Sequence, residues 1–435
     1  MNNYVAVIGL EIHIQLKTKS RMFGNASNDV WQTSPNSITS PVDIGLPGAL
    51  PVPNKEAIRY TQQFGYVLEC TINKQSKFDR KNYFYPDLPK GYQISQYDEP
   101  FCSNGLLDIK VNNQVKTIRI RRIHLEEDTG KSLHIDGRTL LDFNRSGTPL
   151  MELVTEPDFA SADEASEFAK IIQEAVVILG ISDADMEKGN MRLEANISVK
   201  KQDQSDLPNY RVEVKNINSF KFMRNAINYE IDRQIKALEI GEILNQETRG
   251  WDEKKGITFI QRSKENAHDY RYFPEPDIPP FVFDDEYINE LSQNLPKMPW
   301  VYELELIESG VNEPFANQIA HNQEKNQMYL QLVRENPQKS QNEIAKVVIN
   351  RKSINEMRDY LNKQLDQSVS SKNTILTEDQ ILAVINIFPD AVNDLKAGKS
   401  NALQFLIGQI MREHKGQVDA ATLPSVLIRL IGGSN

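Results

Sequence analysis

The chain has 435 residues, 39% of them hydrophobic and 25% charged, with a formal net charge of −10. That length exceeds one ordinary core and predicts two or three domains, and the composition is that of a soluble globular protein. The net negative charge excludes a protein that coats nucleic acid nonspecifically, no apolar run approaches the ~20 residues of a membrane span, and the two cysteines, Cys70 and Cys102, are too few for a four-cysteine zinc site.

Met1-Asn2-Asn3-Tyr4 opens directly into a strand pattern with no signal or transit peptide, so the cytoplasm is the expected compartment. Residues 5–16 alternate, with Leu10, Ile12, Ile14 and Leu16 on one face and Glu11, His13 and Gln15 on the other. Residues 106–120 read as a hairpin turning at Asn112-Asn113, because asparagine tolerates positive φ. A helix is expected from the capping box of Ser161 and Glu164 to Gly180. Met191, Leu193, Ala195, Ile197 and Val199 then form the apolar face of a strand whose other face carries Arg192, Glu194, Asn196 and Ser198. Residues 210–215 repeat that design, with Arg211, Glu213 and Lys215 on the polar side. A second helix runs from near Ser219 to Gly241. Pro274-Glu275-Pro276-Asp277-Ile278-Pro279-Pro280 predicts an extended connector that closes the domain. Beyond it the pattern is helical, broken by a polar loop at Ser368–Asn373 and resumed at a capping box of Thr377 and Gln380. The fold class is therefore α+β: a mainly antiparallel sheet domain followed by helical domains.

Several constellations carry chemistry. Glu11 and His13, about 7 Å apart on one strand face, suit metal ligation, although a solvated face gives the same pattern. In His124-Leu125-Glu126-Glu127-Asp128-Thr129-Gly130-Lys131, adjacent carboxylates repel unless a cation neutralises them, and hard oxygen ligands favour Mg²⁺; an acidic loop is the plainer alternative. The faces Arg192/Glu194/Asn196 and Arg211/Glu213/Lys215 predict a sheet with an apolar back and a polar front. Residues 77–92 interleave four cations with five aromatics, a composition suited to phosphates and stacked bases. Arg119, Arg121 and Arg122 form a cationic ladder into the acidic segment. No segment matches a Walker loop, a Rossmann fingerprint or a nucleophile elbow. These residues describe an acidic metal site beside cationic and aromatic elements, suited to phosphoryl transfer but naming no substrate.

Other segments supply a resemblance. Val7-Ile8-Gly9-Leu10-Glu11-Ile12-His13, Gly45-Leu46-Pro47-Gly48-Ala49-Leu50-Pro51, Asp79-Arg80-Lys81-Asn82-Tyr83-Phe84-Tyr85-Pro86-Asp87 and His124-Leu125-Glu126-Glu127-Asp128 come first. Asn144-Arg145-Ser146-Gly147-Thr148-Pro149-Leu150, Val214-Lys215-Asn216-Ile217-Asn218-Ser219-Phe220, Gln246-Glu247-Thr248-Arg249 and Asp269-Tyr270-Arg271-Tyr272-Phe273-Pro274-Glu275-Pro276-Asp277 follow. In this order they resemble the B subunits of aspartyl/glutamyl-tRNA amidotransferases. The resemblance implies a cradle domain over residues 1–292, a helical domain over 293–372 and a tail over 373–435. It implies a heterotrimer with an amidase-type A subunit and a small C subunit. In that assembly ATP, with Mg²⁺, phosphorylates the side-chain carboxylate of Glu-tRNA(Gln) or Asp-tRNA(Asn), and ammonia from glutamine then displaces the phosphate. By the same resemblance Glu11, His13, Glu126, Glu127 and Glu213 would be metal ligands, and Glu127, Glu213 and Lys81 catalytic. Asp79, Arg80, Lys81, Asn82 and Tyr85 would contact the tRNA acceptor end. Some members carry a zinc ribbon near residues 23–45; this chain has no cysteines there, and no zinc is expected. Phe405–Met411 and Lys415-Gly416-Gln417 resemble the end of the family's tail, which is shorter here than usual. The alternative is a tRNA-binding scaffold without chemistry of its own.

Overall fold

The alternation at the amino terminus becomes β1 (Tyr4–Gln15) in the computed structural model, which describes residues 3–263, 270–293, 295–351, 353–370, 376–397, 399–414 and 423–432. Ile8, Leu10, Ile12 and Ile14 are buried on its back. The strands that follow are β2 (Thr71–Ile72), β3 (Gln75–Ser76), β4 (Asp79–Asn82), β5 (Tyr92–Ser95), β6 (Cys102–Val111) and β7 (Gln114–Glu127). After them come β8 (Lys131–Ile135), β9 (Arg138–Asp142), β10 (Pro149–Thr155), β11 (Met191–Lys201) and β12 (Val212–Ile217). The last are β13 (Glu247–Asp252), β14 (Ile257–Ser263), β15 (Phe273–Pro274) and β16 (Phe281–Val282). Nine of these strands make one sheet in the order β14-β13-β12-β11-β1-β10-β7-β6-β2, antiparallel throughout except for the parallel pair β12–β13. Asn112 and Asn113, both at positive φ (52° and 61°), turn the β6–β7 hairpin where the sequence places it.

Three helices cover the back of the sheet: α1 (Lys55–Val67), α2 (Ala162–Ile178) and α3 (Phe220–Glu239). Ser161 and Ser219 each accept a backbone N–H in the first turn of α2 and α3, and Gly180 and Gly241 follow their ends at positive φ, matching the expected boundaries. Phe168, Ile172, Val176, Met223 and Ile227 join the β1 and β11 apolar faces in one core. An ionic clasp lies there too, with fully buried Glu230 of α3 taking Arg233 and Arg249. This first compact unit, Met1–Met298, ends with the short α4 (Asp285–Leu291). The proline-rich passage is more than a connector: its flanks pair as β15 with β4 and β16 with β3, which ties residues 273–282 into the sheet domain.

The second unit, Pro299–Asn435, is helical among its described residues. It comprises α5 (Pro299–Glu308), α6 (Glu313–Ala320), α7 (Gln323–Glu335), α8 (Gln341–Asn350) and α9 (Ile354–Ser370). These share a core around Leu332, Ile344 and Leu361. A separate core around Leu406, Ile410 and Leu427 belongs to α10 (Glu378–Ile385), α11 (Pro389–Lys396), α12 (Ser400–Glu413) and α13 (Leu423–Gly432). Gln380 accepts the Thr377 N–H at 3.0 Å, as a capping box requires. The expected polar loop at 368–373 is shortened, because α9 continues through Ser370. Residues 371–373, Asp269 and Lys415-Gly416-Gln417 lie outside the described residues.

Candidate active site

Residues directly opposite each other in a β ladder share a face, so register decides which polar groups meet. β1 sets His13 against Glu152 of β10 and Arg192 of β11, and β10 sets Glu152 against His124 of β7. This rank of four crosses the front of the sheet. In the next rank Glu11 faces Glu194 of β11 and Val154 of β10, which itself faces Arg122. In the third, Asn196 faces Glu213 of β12, beside Thr248 of β13.

Two clusters result, each with three ligand-capable atoms within 4.8 Å of one another. The first joins His13, Glu126 and Glu152: His13 Nε2 lies 3.4 Å from Glu152 and 4.0 Å from Glu126, and His124 Nε2 is 3.3 Å from Glu152. Burial opposes a charged imidazole, but Glu152, with Glu194 and Glu126 behind it, outweighs this and pushes His13 up to about 9. Burial likewise opposes a charged Glu152, yet His124 and His13 hold it well below the usual carboxylate range. The second cluster joins Glu11, Glu194 and Glu213. Lys215 Nζ bridges Glu194 at 2.8 Å and Glu213 at 3.1 Å, Asn196 donates to Glu11 at 2.9 Å, and Thr248 donates to Glu213 at 3.0 Å. Burial raises Glu11, and the carboxylates of Glu152, Glu194 and Glu213 raise it further. Three carboxylates against one ammonium leave excess negative charge in a half-buried place, and Asn196 Oδ1 is buried there without a hydrogen-bond partner. An all-oxygen set of this kind fits a hard divalent cation such as Mg²⁺. His13 Nδ1 and His124 Nδ1 are also buried without hydrogen-bond partners among the described residues. Asp128 closes the front: burial opposes its charge, but Arg192 at 3.0 Å and the nearby Arg145 hold it well below the usual carboxylate range.

A rim of aromatics and one lysine stands over the first cluster. Lys81, half-buried on β4, lies 5.1 Å from the centre of the Tyr270 ring and makes no hydrogen bond or ion pair with the described residues. Burial favours its neutral form, but Glu126, Tyr272 and Glu152 push it up, so the ammonium stays charged. Tyr97 stacks on Tyr272 at 4.4 Å between ring centres, and Tyr83 packs edgewise on Tyr270 at 5.9 Å.

The structure brings together Glu11 and Glu213 in one cluster and His13 and Glu126 in the other, with Lys81 above them. It leaves Glu127 outside both. On a strand neighbouring residues point to opposite faces, so Glu127 turns away from Glu126 and takes Lys90 at 2.7 Å and the Ile94 N–H at 3.0 Å. That geometry gives no support to a ligand role. Asp79, Arg80 and Asn82 are also engaged within the protein. Buried Asp79 accepts Lys77 at 2.6 Å, Arg80 forms a bidentate pair with Glu275 at 2.7 and 2.9 Å, and Asn82 donates to the Arg271 carbonyl at 2.8 Å. Arg80 and Asn82 thereby fasten residues 270–277 across the site, while Asp79 fixes Lys77. Tyr85 is exposed beside Phe84, away from any described partner in the clusters. Sequence reasoning missed Glu152 and gave Glu194 no role. Glu152 carried one signal, a lone carboxylate inside the apolar run Pro149–Thr155, where it needs a partner.

A family model described as the GatB/GatE catalytic domain matches residues 6–289, and one described as the GatB domain matches 318–431. The chain belongs to the GatB family. Every residue of the two GatB clusters and of the rim lies within the catalytic-domain match. The chain is 40% identical to the B subunit of the aspartyl/glutamyl-tRNA(Asn/Gln) amidotransferase of Thermotoga maritima, over 99% of each chain. It is 38% identical to the same protein of Carboxydothermus hydrogenoformans over 98% of each, and 39% identical to that of Roseiflexus castenholzii over 98% of each. The Thermotoga maritima alignment spans 480 positions against 435 residues here, so the relative carries residues with no counterpart in this GatB chain.

Proposed function

We propose that this chain is the B subunit of a tRNA-dependent amidotransferase and that the sheet front is where the side-chain carboxylate of Glu-tRNA(Gln) or Asp-tRNA(Asn) is activated by ATP. The observation that carries the reading is the pair of adjacent clusters, His13/Glu126/Glu152 and Glu11/Glu194/Glu213, within the residues matched by the catalytic-domain model. A carboxylate is a poor electrophile until one of its oxygens becomes a phosphate. Its attack on the terminal phosphorus of ATP breaks the bond to ADP and makes an acyl phosphate. Ammonia then forms the new C–N bond as the C–O bond to phosphate breaks, giving Gln-tRNA(Gln) or Asn-tRNA(Asn).

Bound Mg²⁺ would neutralise phosphate charge and align the displacement. Glu11, Glu194 and Glu213, with Asn196, are suited to hold it, and His13, Glu126 and Glu152 form a second candidate set. Lys81 would meet negative charge developing on the transferred group, its ammonium held charged by the carboxylates below. Tyr97, Tyr270 and Tyr272 would shield the site from water.

Ammonia would come from an amidase-type A subunit, with a small C subunit completing a heterotrimer. The separate apolar cores support a division into the cradle 1–292, a helical domain 293–372 and a tail 373–435, of which the last two would hold the tRNA body. The cytoplasm is the proposed compartment, and no helix among the described residues is long and apolar enough to cross a membrane. The test is reconstitution with A and C partners, Glu-tRNA(Gln), glutamine and ATP. Formation of Gln-tRNA(Gln) that requires both ATP and this chain is expected; product formed without ATP, or by the partners alone, would overturn the reading.

A further inference from the structure

β7 carries three arginines, and two of them are fully answered. Arg119 forms a bidentate pair with Asp158 at 3.0 and 2.7 Å, and Arg121 forms one with Glu156 at 2.9 and 2.8 Å. Arg122 is different. Its Nε is buried without a hydrogen-bond partner, and it makes no ion pair with the described residues. A buried guanidinium N–H left unmet carries a desolvation penalty, which a ligand with acceptor oxygens would remove.

The backbone sets where this group points. The β10–β7 register slips between Val154 and Thr155: Val154 faces Arg122 while Thr155 faces Ile120, so Arg121 is an extra residue. Such a bulge turns consecutive side chains toward one side. Arg121 and Arg122 accordingly line a single cavity of about 620 Å³ with Lys74, Asn73, Ser103 and Tyr97. Of the acids on its wall, Asp98 is taken by Lys77, while Glu99 is exposed at the edge. The cavity adjoins the chemistry, since Arg122 is in the rank of Glu11 with Val154 between them, two strand spacings or roughly 10 Å away.

We propose that Arg122 binds the phosphates of the nucleotide, holding the polyphosphate beside the cation that the Glu11/Glu194/Glu213 cluster would hold. A guanidinium fork matches two phosphate oxygens at once, which an ammonium does not. The cavity has room for the rest of a nucleotide, and exposed Tyr97 offers a ring at its wall. This assignment rests on the proposed function. A backbone phosphate of the tRNA would offer the same oxygens, so the two sources must be separated.

The test uses the reconstituted complex with Arg122→Gln and Arg122→Lys, after thermal melting has established that each is folded. ATP binding is read by equilibrium dialysis without tRNA, and tRNA binding by filter assay without ATP across a salt series. Arg122→Gln is expected to weaken ATP at least about tenfold, with Arg122→Lys between it and the parent and tRNA affinity unchanged. Loss of tRNA affinity with a salt slope lower by about 0.7–0.9, and ATP binding intact, would overturn the assignment in favour of a tRNA phosphate. No change in either ligand would overturn it outright. Failure of the parent complex to make amidated tRNA would instead remove the function on which the proposal stands.

Discussion

The two clusters on the sheet front are one strand rank apart, yet they handle crowded charge in opposite ways. In the first, Glu152 is sandwiched between His13 and His124, and the charge that His13 carries offsets the carboxylates. In the second, Glu11, Glu194 and Glu213 have one ammonium, Lys215, among them, and Glu11 responds by holding its proton more tightly. The first balances itself; the second calls for a cation from outside. Identical side chains on one surface therefore differ in what they demand of the solvent, because of which strands flank them.

The sharpest way to break this contrast is Glu194→Gln. It removes one of three carboxylates while keeping volume, and we expect ATP-dependent phosphorylation of Glu-tRNA to fall roughly 1,000-fold with a raised Mg²⁺ requirement. An unaltered Mg²⁺ titration would mean the second cluster is not a cation site. Next in size is Glu127→Gln, which touches neither cluster. It strands buried Lys90 without a counter-charge, so a stability loss of about 3 kcal/mol in denaturant unfolding is expected. Its Mg²⁺ dependence should match the parent, and a shift there would return Glu127 to the ligand set.

The self-balancing of the first cluster is sharpened by pH. His13 is pushed from its ordinary 6.5 up to about 9, so its contribution to the Mg²⁺-free protein is complete below about pH 6.5 and disappears as pH rises through 9. A fall on the order of 3 kcal/mol across that window is expected. Glu152→Gln should flatten it and return the His13 resonance, followed by NMR titration, toward 6.5. A slope unchanged in Glu152→Gln would remove His13 as its source. The smallest expected effect is at Thr248, whose hydroxyl orients Glu213. Thr248→Val should weaken Mg²⁺ up to about tenfold, with Thr248→Ser restoring it. Equal affinities in all three would show that Lys215 alone positions Glu213.

Much of the sheet was legible. The alternation of β1, β11 and β12, the Asn112-Asn113 turn and the serine caps of α2 and α3 are local signals, and each survives in the structure. Glu11, His13, Glu126 and Glu213 could be marked as candidates because each sits on a visibly polar face or in an acidic run. What sequence could not give was register. Glu194 meets Glu11 only because β1 and β11 align at that pair, although the residues are far apart in the chain. Glu152 was hidden for a second reason, since β10 is buried on both faces and shows no alternation. Residues 77–92 carry a signal with two meanings. Cations among aromatics suit a ligand, but they equally suit a partner segment of the same chain, and Arg80 finds its carboxylate in Glu275.

That last pairing bears on how the molecule is made. Arg80 and Glu275 are separated by 195 residues, and the β4–β15 ladder beside them is two residue pairs long. A ribosome must therefore finish nearly the whole sheet domain before the strap over the site has anything to fasten to. Until then the nascent chain carries the carboxylates of Glu126 and Glu152 without the strap over them, and Arg80 without its acid. Chains stalled before Glu275 should be degraded readily, whereas chains stalled beyond Met298 have every residue of the sheet unit available to close it.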